Sequence, residues 1–418
     1  MRLNERGAII IHVAIALMAL LCFAGIVVDQ GVMYVSRTQS QASADAGALA
    51  GALTLETDPS AHTDARIAAK SFVNQNAIWG QAGGDSNIDV TSPITCPDGT
   101  NTCIRVDVMR GIIGRDGAAH TNTIPTFMMG IVGLSSQGVR ATATAQVAGG
   151  NAVQCIKPWV VADKWVDSSG TGSNTSGWDQ EDIWNDGVDS YTSPGFKATG
   201  TGNDYGLELA LKEGATGTWS SGWTMEIDLG SNGSNAYRDE ISGCPTWVPT
   251  VGTYDPSVPC SAKSDENPAR GCLGVKTGMS QGPTTQGVAD LLALDPSATW
   301  NTGTNSVQGG CMASNTCSNP THANVSPRIV PIAIFNMQVY AASGCSGTNC
   351  VAQVSTILGF FVEGICDDVY AHGTAPAWCG SHPNKVVLGR LVNYPGQFSA
   401  GAGPASPANF LKITRLVR

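Results

Sequence analysis

The stretch "ERGAIIIHVAIALMALLCFAGIVVDQGVMYVSRTQSQASADAGALAGAL", residues 5–53, determines how the rest of this chain is organised. Its first part, residues 8–28, contains one His and no formally charged side chain. Ala8, Val13, Leu17, Leu21 and Val28 are among its apolar positions. As a helix it would span roughly 30 Å, which is the thickness of the hydrocarbon core of a bilayer. We therefore predict one membrane-spanning anchor helix.

Basic residues flank only one end of this apolar run. Arg2 and Arg6 precede it, whereas Asp29 follows it and the next basic residue is Arg37. Basic flanks stay on the cytoplasmic side of a membrane. The sequence therefore predicts a cytoplasmic N-terminus, with everything after Asp29 on the other side.

Three kinds of processing compete with an uncleaved anchor. A removable signal has an apolar region of about 7–15 residues and a small-x-small cleavage site, and this run is longer and lacks that site. A lipoprotein site at Cys22 would need a small residue before it, but Leu21 stands there. A cut after Gly7, as in prepilins, would keep the apolar helix, although His12 stands where prepilins carry Glu. We predict an uncleaved anchor and leave a cut after Gly7 open.

Helical periodicity continues beyond the apolar run. Apolar residues and Ala recur at spacings of three and four up to residue 55, and Pro59 then ends the helix. The small residues of "QASADAGALAGAL" would let another helix approach closely. Two partners stay open for this stalk: the protein's own domain, which we favour, or another protein.

The apolar run and the stalk together resemble the N-terminal segment of TadE/TadG-like proteins of the Tad (Flp-type, tight-adherence) pilus machinery. Ser43 and Gly47 stand where Ala is more usual in that segment. Weaker similarity follows at residues 138–147, 155–165 and 326–336. The matching positions are Gly7, Gly25, Asp29, Gln41, Asp45, Ala46, Leu49 and Ala50.

The resemblance implies a function in contact rather than catalysis. It implies a non-enzymatic component of a pilus-assembly or tight-adherence system, crossing the bacterial inner membrane once, with its bulk periplasmic or extracellular. The implied partners are the membrane and other Tad pilus-assembly proteins or pilins. Nucleic acid is not expected, because 33 acidic residues outnumber 23 basic ones and phosphate binding needs clustered Lys and Arg.

The cysteines support export independently of the resemblance. All but Cys22 of the 13 follow the apolar run, as expected for disulfides in an oxidising compartment. Structural zinc is the competing hypothesis, but repeated C-x₂₋₄-C knuckles are missing, so we predict no metal site. Cys155, Cys244, Cys260 and Cys272 would pair among themselves in an order that stays open. Neighbouring cysteines predict four local bridges: Cys96 with Cys103, Cys311 with Cys317, Cys345 with Cys350, and Cys366 with Cys379.

The expected fold class is α+β, with three domains. Residues 1–55 form the transmembrane anchor and stalk helix, residues 56–150 a small α+β domain, and residues 151–418 a mainly antiparallel, β-rich, disulfide-containing extracytoplasmic domain. In the small domain we predict a helix over residues 60–79, strands at 103–110 and 139–148, and a helix over 124–134. The first of these helices would bury Ile67, Ala68, Phe72, Val73 and Ile78.

Short β-type segments predict the third domain. They lie at residues 204–211, 223–229, 328–340, 353–365, 385–394 and 410–417, with one helix at 284–294. Most of the tryptophans occur here, where we expect them in cores or as loop anchors.

One motif supports an enzyme instead. "GMSQG", residues 278–282, fits G-x-S-x-G, in which a sharp strand-to-helix turn exposes a nucleophilic Ser. Against it, Pro283 is expected to separate Ser280 from the following helix, and no oxyanion-hole motif accompanies it. A membrane-anchored serine hydrolase using Ser280 is therefore the first alternative. The residues that would complete a triad are Asp367 or Asp368, and His372 or His382.

An acidic loop supports the second alternative, a calcium-dependent surface adhesin. "DQEDIWNDGVD", residues 179–189, is rich in the oxygen ligands that Ca²⁺ prefers. It departs from EF-hand spacing and lacks the closing Glu, so we favour a solvated turn. We predict no cofactor, and calcium in this loop is the alternative.

Overall fold

The computed structural model describes residues 5–57, 61–81, 84, 87–97, 99–111, 122–170, 178, 180, 182–199, 202–211, 223–227, 229, 233–245, 260, 262–267, 270–276, 280–311, 326–344, 350–366, 386–396 and 409–417. The chain divides into two compact units. The first unit comprises Met1–Leu55, Pro59–Val147 and Thr414–Arg418; the second comprises Glu56–Asp58 and Ala148–Ile413. The fold is of the α+β class, with a long apolar N-terminal helix and disulfides.

The first unit contains two helices and a small sheet. The helices are α1 (Glu5–Thr57) and α2 (His62–Gln75), and a 3₁₀ turn spans Met129–Val132. The strands are β1 (Ile88–Ile94), β2 (Cys103–Arg110), β3 (Ile124–Pro125), β4 (Ser136–Gln137) and β5 (Val139–Gly149).

Helix α1 is continuous from the apolar run through the stalk, as predicted. Its sequence has no Pro and is rich in Ala and Leu, the residues with the highest helix propensity. It ends at Thr57, two residues before Pro59, which cannot continue a helix. The 53-residue length corresponds to about 80 Å at ~1.5 Å per residue, far more than a bilayer requires.

Strands β1, β2 and β5 form an antiparallel sheet whose one face packs on the helices. β2 pairs with β1 through Val106 opposite Val90 and with β5 through Val106 opposite Ala143. Alternation places Ile104, Val106 and Val108 on the same face, where they join the buried core with the alanines of α1. The strands predicted at residues 103–110 and 139–148 are thereby confirmed.

Helix α2 buries the predicted residues only in part. The predicted face included Ile67 and Phe72, but these are 62% and 48% exposed. Val73 and Ile78 are buried as predicted, and Ala65 and Ala69 are buried in place of Ile67 and Phe72. The reason is that α1 lies against α2, and a close helix pair selects the face with small side chains rather than the face with the largest ones.

The helix predicted over residues 124–134 is wrong. The structure has the two-residue strand β3, which pairs with β4, followed by the 3₁₀ turn Met129–Val132 and left-handed Gly133. The backbone N–H groups at the start of this segment are bound by a distant side chain, as described below. The local spacing of apolar residues could not reveal that this side chain, and not helix carbonyls, binds these N–H groups.

The second unit is built around one large sheet. The strands of this unit are β6 (Trp159–Ala162), β7 (Glu208–Leu211), β8 (Thr224–Ile227), β9 (Cys272–Lys276), β10 (Thr299–Asn301), β11 (Ser306–Gln308), β12 (Ile329–Phe335), β13 (Cys350–Ile365) and β14 (Val387–Val392). Of these, β10 and β11 pair only with each other, in a separate two-stranded sheet. Its helices are α3 (Ser234–Ser242), α4 (Gln281–Leu294) and α5 (Met337–Ala342). The chain ends with β15 (Tyr394–Pro395) and β16 (Leu411–Val417), which pair in parallel.

The strand order in the large sheet is β12-β6-β8-β9-β13-β14-β7. β12 also pairs with β13, from Ile329 opposite Phe361 to Phe335 opposite Val354, so five of the strands close into a ring. All these pairings are antiparallel except β12 with β6. The prediction of a mainly antiparallel β-rich region is confirmed.

Two apolar cores lie on the two faces of this sheet. In β6, Val160 and Ala162 belong to one core, whereas Trp159 and Val161 belong to the other, which also contains the buried side chains of α3 and α4. Because both faces are covered, β6 ("WVVA") and β12 ("IVPIAIF") are apolar and buried along their whole length rather than alternating.

Two predicted segments in this unit need correction. The segment predicted as one strand over residues 328–340 is β12 up to Phe335, after which Asn336 caps α5 by accepting a hydrogen bond from the Val339 N–H at 3.2 Å. The helix predicted at 284–294 begins earlier, at Gln281. Pro283 is therefore inside the first turn of α4, where a missing N–H costs nothing.

Candidate functional site

The apolar half of α1 is exposed along most of its length, and Gly25 near its end is the position that Met128 contacts. Val13, Leu17, Leu21 and Val28 are all exposed, whereas the side chain of Ala8, the other predicted anchor residue, lies outside the described part. Among the described residues, one helix is long and apolar enough to cross a membrane, and it is this one. Large apolar side chains exposed on every side of a helix are what a lipid environment requires.

The stalk half of α1 docks on the first unit through a continuous stripe of small residues. Ala44, Ala48, Ala52 and Leu55 are fully buried in the core of that unit. A Cβ added to Gly51 would overlap the Ile104 side chain and lie 2.9 Å from the carbonyl oxygen of Ala65 on α2. The Ala-rich face therefore packs on the protein's own domain, the partner that the sequence favoured.

Asp29 lies on α1 on the N-terminal side of this docking face and extends the contact with the first unit. Its carboxylate accepts hydrogen bonds from the backbone N–H groups of Phe127 at 2.7 Å, Met128 at 3.0 Å and Met129 at 2.7 Å. The Asp29 side chain is buried, and one turn earlier a Cβ on Gly25 would overlap Met128. Gly25 and Asp29 thus together hold the segment that follows β3 against α1.

The other motif positions lie along the side of α1 or face outward. Gln41 donates to the Asp45 carboxylate at 2.8 Å and to the carbonyl oxygen of Thr142 in β5 at 3.2 Å. Ala46 and Ala50 are half-buried and Leu49 is 36% exposed. Gly7 is in the first turn of α1. The predicted motif therefore divides into a part that docks the stalk and a part that faces away from its own domain.

Three disulfides are described with both partners. Cys96 pairs with Cys103 beside β1 and β2, as the sequence predicted, with Cα atoms 5.4 Å apart. Cys155 pairs with Cys244 and Cys260 with Cys272, which resolves the order left open by the sequence. Cys311, Cys350 and Cys366 are also disulfide-bonded. Their predicted partners, Cys317, Cys345 and Cys379, lie outside the described residues.

Ser280 is exposed and directly precedes α4 as its N-cap. The expectation that Pro283 separates Ser280 from the helix is therefore wrong. The backbone N–H of Ser280 donates a hydrogen bond to the carboxylate of Glu226 on β8, so this acid contacts the Ser280 backbone. Asp367, Asp368, His372 and His382, the predicted triad partners, lie outside the described residues.

The acidic loop uses its carboxylates to organise the backbone. The Asp189 carboxylate accepts the N–H groups of Ser168, Ser169 and Asn185 at 2.8–3.0 Å, and Asp167 accepts that of Gly170 at 3.1 Å. Asp179 and Glu181 lie outside the described residues. Within the part of the chain that the structure describes, no group of three His, Cys, Asp or Glu side chains could hold a metal ion.

A buried acid that the sequence patterns did not predict, Asp163, lies directly after β6. The Asp163 carboxylate accepts the Tyr191 hydroxyl at 2.6 Å, the Ser355 hydroxyl at 3.1 Å and the N–H groups of Gly195 and Phe196 at 3.0 and 2.9 Å. Burial raises the pKa of Asp163, and these donors oppose that rise. The signal for this acid was its position directly after the wholly apolar strand "WVVA".

A small cleft opens beside this acid. Its volume is about 190 Å³, and Lys164, Lys197 and Asp204 are among the residues that line it. Lys164 forms an ion pair with Asp204 at 2.7 Å, and its Nζ lies 5.2 Å from the centre of the Trp178 ring. The charges of Lys164 and Asp204 compensate one another, and the Asp204 carboxylate also accepts the backbone N–H of Lys197 at 2.9 Å, so Asp204 holds this loop together.

A comparison with known protein families gives a match in the N-terminal segment. Residues 7–54 match the family model of the TadE/G-like Flp pilus-assembly domain. The N-terminal segment is TadE/G-like. The matched residues are those of α1 alone, from its first turn to the end of the docked stalk, so the TadE/G-like segment contains both the apolar run and the stripe of small residues. No curated protein and no solved structure matches the chain.

Proposed function

We propose that this protein is a non-enzymatic component of a Tad/Flp-type pilus-assembly or tight-adherence system, anchored by α1 and presenting an extracytoplasmic interaction domain. The observation that carries the proposal is the TadE/G-like match over residues 7–54. The match includes a helix that can span a membrane and a stalk that is docked on a folded domain. Such a helix both retains the protein at the membrane and sets how far its domain stands from the lipid.

Two further observations support the proposed orientation. Arg2 and Arg6 precede the apolar run, which favours a cytoplasmic N-terminus. The disulfides of Cys96, Cys155 and Cys260 with their partners follow the run, which favours an oxidising compartment such as the periplasm for the remainder. The proposed location is the bacterial inner membrane.

The outward part of the TadE/G-like segment is the proposed contact surface for other pilus-assembly proteins or pilins. Ala46, Leu49 and Ala50 match the family motif but face away from the protein's own core. Small residues and one Leu on an open helix face suit packing against a second helix. Gly25 and Asp29, in contrast, make their contacts within the first unit, with Met128 and Met129.

Anchoring is tested by exchanging the apolar run. In a strain that lacks the native gene, residues 8–24 are replaced either by a cleavable secretion signal or by an unrelated Leu/Ala membrane span, and assembled pili are counted. We expect the unrelated span to restore pili and the released protein to fail, although both keep residues 25–418. Full piliation with the released protein would contradict the anchor, and full piliation without the gene would contradict the pathway.

The contact surface is tested by a matched pair of leucines. Leu49 and Leu53 are both exposed and lie one turn apart on α1, but only Leu49 is a motif position. We expect Leu49→Ser to reduce recovery of other Tad components with the protein, and Leu53→Ser to leave recovery unchanged. Equal recovery with both variants would contradict the proposed surface.

The two alternatives predict different outcomes. A serine hydrolase requires that Ser280→Ala abolish function, whereas the proposal expects normal piliation from this variant. A calcium-dependent adhesin requires that chelation of calcium remove surface attachment, whereas the proposal needs no cofactor.

A further inference from the structure

A loop of the first unit lies beside the point where α1 leaves its apolar run. We call residues 126–134, "TFMMGIVGL", the membrane-proximal loop; it contains no charged residue. Met128 packs on Gly25, and the N–H groups of residues 127–129 are bound by Asp29. Gly25 is three residues before Val28, so the contact is about 4–5 Å below the end of the apolar run, at ~1.5 Å per residue.

The exposed surface of this loop is apolar and aromatic. Phe127 is 60% exposed and Leu134 is 50% exposed, which is unusual for large apolar side chains so near each other. The Trp79 ring packs edge-on against Phe127, with ring centroids 6.5 Å apart, and the exposed Tyr34 side chain lies on α1 about two and a half turns after Gly25. Aromatic residues concentrate where a membrane protein passes through the lipid headgroups.

Most of the loop's backbone N–H groups are bound within the protein. Besides the three N–H groups on Asp29, Thr126 N–H donates to Ser135, and the Thr126 hydroxyl donates to the Leu134 carbonyl. Gly133 N–H donates to Gly130 at 3.1 Å and Leu134 N–H to Met129 at 3.0 Å. An irregular segment can enter lipid only when its backbone groups are bound within the protein.

We propose that the membrane-proximal loop inserts into the leaflet on the C-terminal side of the span, with Phe127 and Leu134 at the boundary between headgroups and acyl chains. The partner is the lipid bilayer that α1 crosses. If residues 8–28 fill the hydrocarbon layer, the position of Met128 against Gly25 requires the loop to reach that boundary. Asp29 then acts as the internal partner that makes this insertion possible. The insertion fixes the height and tilt of the first unit above the membrane.

The experiment measures depth in the bilayer with spin labels on the full-length chain in lipid vesicles. Cys22, the free cysteine on the exposed side of the apolar run, is labelled in the native chain to report the span itself. In a Cys22→Ser background, Phe127→Cys and Leu134→Cys report the loop. Ile67→Cys, which is 62% exposed on α2, is the matched apolar control. The signal of the Cys22→Ser parent is subtracted throughout.

We expect the labels at residues 22, 127 and 134 to be more accessible to dissolved oxygen than to a polar nickel complex, and the label at residue 67 to show the reverse. The Ala65–Gly51 contact places residue 67 about 35 Å beyond Val28 along α1, outside any headgroup layer. Loop labels as accessible to nickel as the control would overturn the proposal. Loop labels shielded from both reagents would also overturn it, because a protein partner rather than lipid would then cover the loop. A label at residue 22 outside the lipid would refute the anchor, and insertion with it.

Discussion

The close contact of α1 with α2 makes a direct prediction for glycine substitutions. Gly51→Ala adds one methyl group at a position where the Cβ would overlap Ile104 and lie 2.9 Å from the Ala65 carbonyl oxygen and 3.2 Å from the Ala69 Cβ. The Ile104 side chain can turn aside, but the carbonyl oxygen belongs to the α2 backbone and moves only with the helix. We therefore expect the α1–α2 pair to separate slightly.

The magnitude follows from two opposing contributions. Ala is favoured over Gly in a helix by about 1 kcal/mol. Overpacking a well-packed contact costs about 1–3 kcal/mol. Gly31→Ala, on the same helix, meets nothing within 4 Å and keeps the favourable contribution alone. The difference between the two variants therefore isolates the steric cost, at about 1–3 kcal/mol.

Amide hydrogen exchange of α2 in the detergent-solubilised full chain measures this difference. At a tenfold change for every ~1.4 kcal/mol, the amides of residues 65–73 should exchange about 5- to 150-fold faster in Gly51→Ala than in Gly31→Ala. Helix propensity alone predicts equal protection for both variants. Equal exchange would therefore refute the argument that the glycine is needed for close approach.

The second unit offers two further predictions. The Lys157 ammonium is buried and its pKa falls to about 7 from 10.5, so the unfolded chain holds one more proton between these pH values and stability should rise with pH across that window. Lys157→Met should flatten this rise in a series of thermal melts and raise stability at pH 7 by up to about 5 kcal/mol, and a persistent rise would contradict it. The Cys155–Cys244 disulfide closes a separation of 89 residues, so loop entropy predicts that it adds about 4–5 kcal/mol to the free energy of unfolding. The Cys96–Cys103 disulfide, at a separation of 7, should add about 2–2.5 kcal/mol. Paired Cys→Ser variants in denaturant titrations should follow that order, and the reverse order would count against the loop-entropy argument.

Local sequence patterns predicted the elements whose partners are near in sequence or whose environment is uniform. The unbroken helix α1, strand β2 with its alternating Ile104, Val106 and Val108, and the Cys96–Cys103 bridge are of this kind. Each depends on propensity, on a period of two, or on a short loop, and these are properties of adjacent residues.

The errors occurred where a distant group determined the local structure. Asp29 binds the N–H of Phe127 across a separation of 98 residues and prevents the helix that the apolar spacing of residues 124–134 predicted. The same limitation applies to Asp163, whose hydrogen bond from Ser355 crosses 192 residues. Nothing in the period of either segment contains this information.

The sequence by itself determined that the chain has one apolar helix of membrane length, that this helix continues as an Ala-rich stalk, and that an α+β region rich in strands follows. Composition and periodicity are sufficient for these conclusions, because lipid solubility and helix propensity sum over neighbouring residues. Only the tertiary structure decided which face of α1 is buried, which face of α2 meets it, and how Asp29 holds the membrane-proximal loop. Those outcomes depend on steric fit and on hydrogen bonds between groups that folding alone brings together.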